Sequence, residues 1–143
     1  MSDESELDLS SGIAAFEGKH FATAANLLAP LADAGNAEAQ YRMAIMCQNG
    51  LGRAKNDVDA LKWMRLAAEQ NQPYALHGLG FMYMQGECVE KDETQAIKWL
   101  TLAAEQGLPG SAMTLGMMFE QGQGVEKNEV EAKRWYKRAE END

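Results

Sequence analysis

Residues 74–85 contain no proline and carry Leu79, Met82 and Tyr83 at the spacing of one helical face. The run stops at Gly86, which suits the left-handed residue that follows many helices. A loop, Glu87 to Lys91, leads to Asp92, with Gln95 three residues on. That is a capping-box arrangement, in which two side chains satisfy orphan backbone donors reciprocally, and it predicts a second helix. Asn128 with Glu131 repeats it, and Asn56 with Asp59 approximates it. The second helices are expected to close at Gly35, Asn71 and Gly107, where a Gly/Asn alternation predicts a positive-φ cap. Pro73 and Pro109 then read as separators between units.

The same pattern returns every 36 residues. Trp63, Trp99 and Trp135 keep that step, as do Ala60, Ala96 and Ala132, Ala67, Ala103 and Ala139, and Gly50, Gly86 and Gly122. No insertion interrupts the register from Ala39 onward. Such a repeat is the signature of stacked supersecondary units. Small residues at Ala44, Gly80 and Gly116 predict close approach of the two helices. A Trp can bury roughly 150–250 Å², about 4–6 kcal/mol gross, so the Trp column is expected to be core.

The segment before Ala37 is a degenerate copy, in which Ala24, Leu27, Ala32 and Gly35 fall 36 residues before Ala60, Trp63, Ala68 and Asn71. Its connector is shorter, and Pro30 should kink its second helix or tighten the last turn. Residues before about Glu6 are expected to fray, and Ser10 and Ser11 read as caps near a helix start. Arg134, Lys137, Arg138, Glu140 and Glu141 give the last copy a charged face that suits a terminal cap. The expected organisation is a single domain over 1–143: a degenerate unit 7–36, repeats 37–72 and 73–108, and a capping repeat 109–143.

Charge removes several function classes. Thirteen basic residues against 22 acidic ones leave a net −9, which argues against phosphate-backbone binding and so against a nucleic-acid partner. Anionic membranes are disfavoured in the same way, and no stretch approaches the apolar length of a membrane span. The N-terminus carries Asp3, Glu4, Glu6 and Asp8 and no apolar leader core, which predicts a cytoplasmic protein; a chain already trimmed of a leader would read the same way. The acidic balance mildly favours a basic partner through encounter rate.

These columns resemble the Sel-1-like repeat (SLR), a relative of the tetratricopeptide repeat. The second unit carries the resemblance through Ala75, Leu79, Gly80, Tyr83, Gly86, Val89, Asp92, Ala96, Trp99, Ala103, Ala104 and Gly107. The third does so through Leu115, Gly116, Gly122, Gly124, Val125, Ala132 and Trp135. The first departs at Met43, Ala44 and Cys47, and Cys88 replaces the second loop Gly. The resemblance implies an all-α fold, a right-handed α-solenoid of two-helix SLR repeats. It also implies a scaffold or adaptor role: no enzyme, no cofactor, and a protein or peptide partner held in a concave groove lined by first helices. The disulfides of cysteine-rich relatives are not implied, because the within-repeat Cys pairs are absent.

With that geometry the groove columns are Tyr41, His77 and Met113; Ile45, Phe81 and Met117; Gln48, Met84 and Glu120; and Asn49, Gln85 and Gln121, with Arg42, Glu38, Tyr74 and Thr114 nearby. The Ile45/Phe81/Met117 column reads either as an exposed apolar stripe, the mark of an interaction surface, or as a seam buried between neighbouring first helices. His77 is expected to line the groove or pack on Tyr41, and His20 to be solvated. The Lys55/Lys91/Lys127 ladder reads as a solvated edge or a weak contact for acids. Met46, Met82 and Met118 share the frame and read as structural rather than as a soft-metal site. Cys47 takes a core position; a Cys47–Cys88 disulfide is an open alternative. No Ser/His/Asp, Cys/His, HExxH or phosphate-loop pattern is present in the sequence. The expected molecule is a monomeric adaptor, the alternative a subunit that self-associates through its terminal repeats.

Overall fold

A computed structural model describes residues 2–141, with side chains from Glu4 onward. The described residues form eight α-helices and no strand: α1 (Ser2–Glu17), α2 (Phe21–Asp33), α3 (Ala37–Asn49), α4 (Asp57–Glu69), α5 (Pro73–Gln85), α6 (Glu93–Glu105), α7 (Pro109–Gln121) and α8 (Glu129–Glu141). They fall into two compact units, Met1–Gln72 and Pro73–Asp143.

The last three helix pairs close by the same backbone device. Asn56, Asp92 and Asn128 accept at their side chains from the N–H of Asp59, Gln95 and Glu131, at 3.0, 3.2 and 3.1 Å. The reciprocal half of the box does not form. The N–H of each cap residue instead donates to a first-helix carbonyl, that of Cys47, Tyr83 or Phe119, each at 2.9 Å. The connector brings the cap within reach of the preceding helix, and a main-chain acceptor there replaces the side chain. Gly50, Gly86 and Gly122 take the left-handed turn that starts each connector, with φ near 65–70°. Gly35, Asn71 and Gly107 have positive φ, as their alternation predicts.

Within both units the core is the repeated apolar columns. Trp63, Trp99 and Trp135 are 8, 7 and 3% exposed. Met46, Met82 and Met118 are fully buried, which makes the methionine column packing. A Cβ on Gly80 would stand 2.7 Å from Leu100 Cγ, and one on Gly116 would stand 2.5 Å from the Tyr136 ring. The close approach read from these small residues is therefore present. Gly12 in α1 does the same against Leu28, where a Cβ would meet Cδ2 at 2.5 Å. The shorter first connector displaces Gly12 from the 36-residue frame, which hid it.

The N-terminal unit corrects one expectation. Helix α1 begins at Ser2, and Ser10 and Ser11 lie exposed in its middle rather than at a cap near a helix start. Glu4 falls in the first turn, where the helix dipole favours a negative charge. Pro30 lies inside α2, as its place in the sequence predicts, and the helix runs three residues beyond it to Asp33. A glutamine cluster closes the unit: buried Gln40 donates to the Ala32 carbonyl at 3.1 Å and accepts from Gln70 at 2.8 Å. Gln70 also reaches the Gly35 carbonyl at 3.0 Å, and Gln72 donates to Glu38 at 2.6 Å. Orphan carbonyls at the end of α2 are met in this way.

In the second unit Pro73 and Pro109 stand at the starts of helix pairs, Pro73 at the boundary of the unit itself. Each is the first residue of its helix, where a missing N–H costs nothing and the fixed φ is already helical.

Candidate functional site

The site is built on α5 and α7, whose inner faces supply core and whose remaining positions are free to vary. An open cleft of about 380 Å³ lies between them. Phe81 and Met84 from α5 and Met117 and Met118 from α7 give it apolar walls. Gln85, Thr114 and Gln123 supply polar groups, and Lys91 from the α5–α6 connector is the one charged lining residue. The Thr114 hydroxyl donates to the Gly110 carbonyl at 2.8 Å. Phe81 is half-buried and Met117 is 44% exposed.

A second opening of about 300 Å³ is lined by Tyr74, His77, Leu108, Pro109, Gly110 and Ser111. Ser111 occupies the buried Ala39/Ala75 column and is fully buried. Its hydroxyl shares a hydrogen bond with His77 Nδ1 at 2.5 Å. The His77 ring also packs on Phe81, with centroids 4.6 Å apart. Burial holds the His77 ring below its ordinary titration range, so the neutral imidazole is favoured. Buried Ser111 offers no exposed nucleophile, so the pair is a structural bond between α5 and α7.

Not every expected groove residue joins these clefts. Met113 is 48% exposed on α7 but lines neither of them. Glu120 lies in a separate cleft of about 280 Å³ with Glu129, Lys133 and Tyr136. It accepts from the Tyr136 hydroxyl at 3.1 Å, and burial followed by that bond pushes the phenol pKa up. In the first unit Tyr41, Ile45 and Gln48 are half-buried on α3. Arg42 is engaged within its own unit, 3.5 Å from the Glu38 carboxylate and over the Phe16 ring at 5.0 Å. Sequence reasoning passed over Ser111 and Leu108, and it placed Lys91 on an edge. Ser111 left one signal, a hydroxyl in a column of buried alanines.

Among the described residues no His, Cys, Asp and Glu side chains gather as a metal site. Cys47 and Cys88 are not joined in a disulfide, and burial pushes the Cys47 pKa up. No described helix is long and apolar enough to cross a membrane.

Constant core columns under variable first-helix surfaces define a class, the helical-repeat interaction scaffold. The Sel1 repeat matches residues 37–72, 73–108 and 111–143, and the chain belongs to the Sel1 repeat family. A Sel1 repeat protein from Oxalobacter formigenes superposes with a TM-score of 0.87 at 34% identity, over 94% of this chain and 55% of that one. The protein c5321, a protective antigen of uropathogenic Escherichia coli strains with an SLR fold, superposes with a TM-score of 0.91 at 29% identity. That likeness covers 98% of this chain and 31% of the other. The present chain thus spans about half and about a third of these two proteins. The fold class is the all-α solenoid of repeats of about 36 residues. No curated protein matches the chain. Proteins of this family generally act as non-enzymatic scaffolds for protein–protein interaction.

Proposed function

We propose that this chain is an adaptor whose second unit holds a peptide or helical segment of a partner protein against α5 and α7. The observation that carries the reading is the open cleft walled by Phe81, Met84 and Met117. Met117 stands 44% exposed on α7. Methionine and aromatic side chains adapt to apolar anchors, and Gln85 and Gln123 at the cleft offer amides to a ligand backbone. Tyr74 and His77 extend the surface through the neighbouring opening. The net charge of −9 speeds encounter with basic surfaces.

The test compares quantitative affinity capture by the wild type with capture by Met117→Glu and Phe81→Glu, each shown to fold by circular dichroism. A partner retained by the wild type and lost by both folded variants supports the adaptor. Equal capture by all three proteins would sink the cleft assignment. Sedimentation equilibrium is expected to give a monomer at micromolar concentration; a dimer dispersed by Met117→Glu would turn the same face into a self-association surface.

A further inference from the structure

The cleft carries a charge signal opposite to that of the whole chain. In a protein of net −9, its single charged lining residue is a cation, Lys91. Lys55 takes the same place one repeat earlier and lies 3.9 Å from Asp57, two residues on. The residue two on from Lys91 is Glu93, whose carboxylate makes no ion pair with it and whose Oε2 has no hydrogen-bond partner among the described residues. Gly124, left-handed with φ 71°, presses on it so closely that a Cβ would stand 2.5 Å from Glu93 Cβ. Glu93 Oε2 is buried there. Lys91 therefore makes no ion pair among the described residues.

The root of Lys91 is also fixed. The Asp92 N–H donates to the Tyr83 carbonyl at 2.9 Å, and the Glu87 N–H donates to the Met82 carbonyl at 3.0 Å. These bonds pin both ends of the connector to α5. An unpaired ammonium on an anchored backbone, beside an apolar wall, is complementary to a carboxylate next to an apolar side chain. We infer that the segment bound by this cleft is acidic at its anchor: an apolar side chain seats against Phe81, Met84 and Met117, and an Asp or Glu within one helical turn of it pairs with Lys91. This rests on the adaptor reading and sharpens it. Long-range charge and contact charge then select differently. Screening over about 8 Å at physiological ionic strength suppresses the repulsion from the chain as a whole, while a contact pair survives.

The experiment is selection of displayed random dodecapeptides on the full chain at physiological ionic strength. Parallel selections use Lys91→Glu, Lys91→Gln and Met117→Glu, each checked for folding. Enriched wild-type peptides are expected to join Leu, Met, Phe or Trp to Asp or Glu within four positions. A synthetic winner should bind Lys91→Gln about three- to fivefold more weakly, as an exposed ion pair allows. It should bind Lys91→Glu at least about tenfold more weakly. Selection on Lys91→Glu should enrich Lys or Arg at the same distance from the anchor. Winners lost by Met117→Glu but indifferent to Lys91→Glu would overturn the acidic anchor and leave the cleft standing. Winners indifferent to every variant, or no winners at all, would overturn both.

Discussion

On α3 the polar side chains are held by the protein itself. Gln40 is buried and doubly bonded, and Arg42 lies between Glu38 and the Phe16 ring. On α7, at the same places in the repeat, Ala112 and Thr114 stand for Gln40 and Arg42, and Met113 and Met117 are exposed apolar side chains. Both helices share the same plan: a buried face of small and apolar residues (Ala39, Met43, Ala44 and Met46 on α3, Ser111, Leu115, Gly116 and Met118 at the matching places on α7), a left-handed Gly at the C-cap, and a tryptophan on the helix that follows. The scaffold constrains about half of each first helix and leaves the rest to chemistry. One unit has used that freedom for internal hydrogen bonds, the other for an open apolar wall. Function in such a protein is read from the departures between repeats rather than from the repeat.

The largest effects should be those the two units share. Trp63→Ala and Trp99→Ala remove equivalent buried rings, and each should cost about 3–5 kcal/mol in urea denaturation. A loss confined to one of them would show that the columns are not energetically equivalent. The connectors come next. Gly124→Ala places a Cβ against Glu93 at positive φ and should cost about 1–3 kcal/mol. Cys88 holds the same left-handed position without being glycine, at φ 65°. Cys88→Gly should therefore raise stability by about 0.5–1 kcal/mol, strain relief exceeding the added chain entropy. A fall in melting temperature for Cys88→Gly would break that symmetry.

The smallest effect separates the units by pH. Folding holds the His77 pKa below its ordinary 6.5. As pH falls through that value, the unfolded chain takes up a proton that the folded ring resists. Stability then declines, by at most about 1.4 kcal/mol per pH unit, until the folded ring protonates too. Thermal melts of His77→Gln should show a flatter slope below about pH 6.5 than the wild type. An unchanged slope would remove His77 as the titrating group.

The repeated part of the molecule was legible in the sequence. Trp63, Trp99 and Trp135, the left-handed Gly positions and the N-cap residues recur, and recurrence averages out local accident. What recurrence cannot show is whatever belongs to one repeat alone. Gly12 sits out of frame, so its contact with Leu28 had no matching column. The bonds among Gln40, Gln70 and Gln72 join residues far apart in sequence, and polar residues at helix ends read as solvent-facing. The reciprocal capping box failed because its backbone donor finds a carbonyl that only tertiary structure brings near. Of the groove residues, Phe81, Met84 and Met117 came together because helical spacing aligns them. Arg42 and Glu120 found partners that spacing does not reveal.

The bond from each N-cap amide to the carbonyl of Cys47, Tyr83 or Phe119 has one more consequence. It is made wholly by main chain, so it places no demand on the side chain at its acceptor, and those three positions hold three different residue types. A segment that closes in this way can be duplicated and then drift in sequence without loosening its own joint. Hydrogen exchange would register the same property as protected amides at Asn56, Asp92 and Asn128, at the ends of connectors where rapid exchange is the rule. A long array of such segments inherits its geometry from the backbone and its vocabulary of partners from whatever the side chains become.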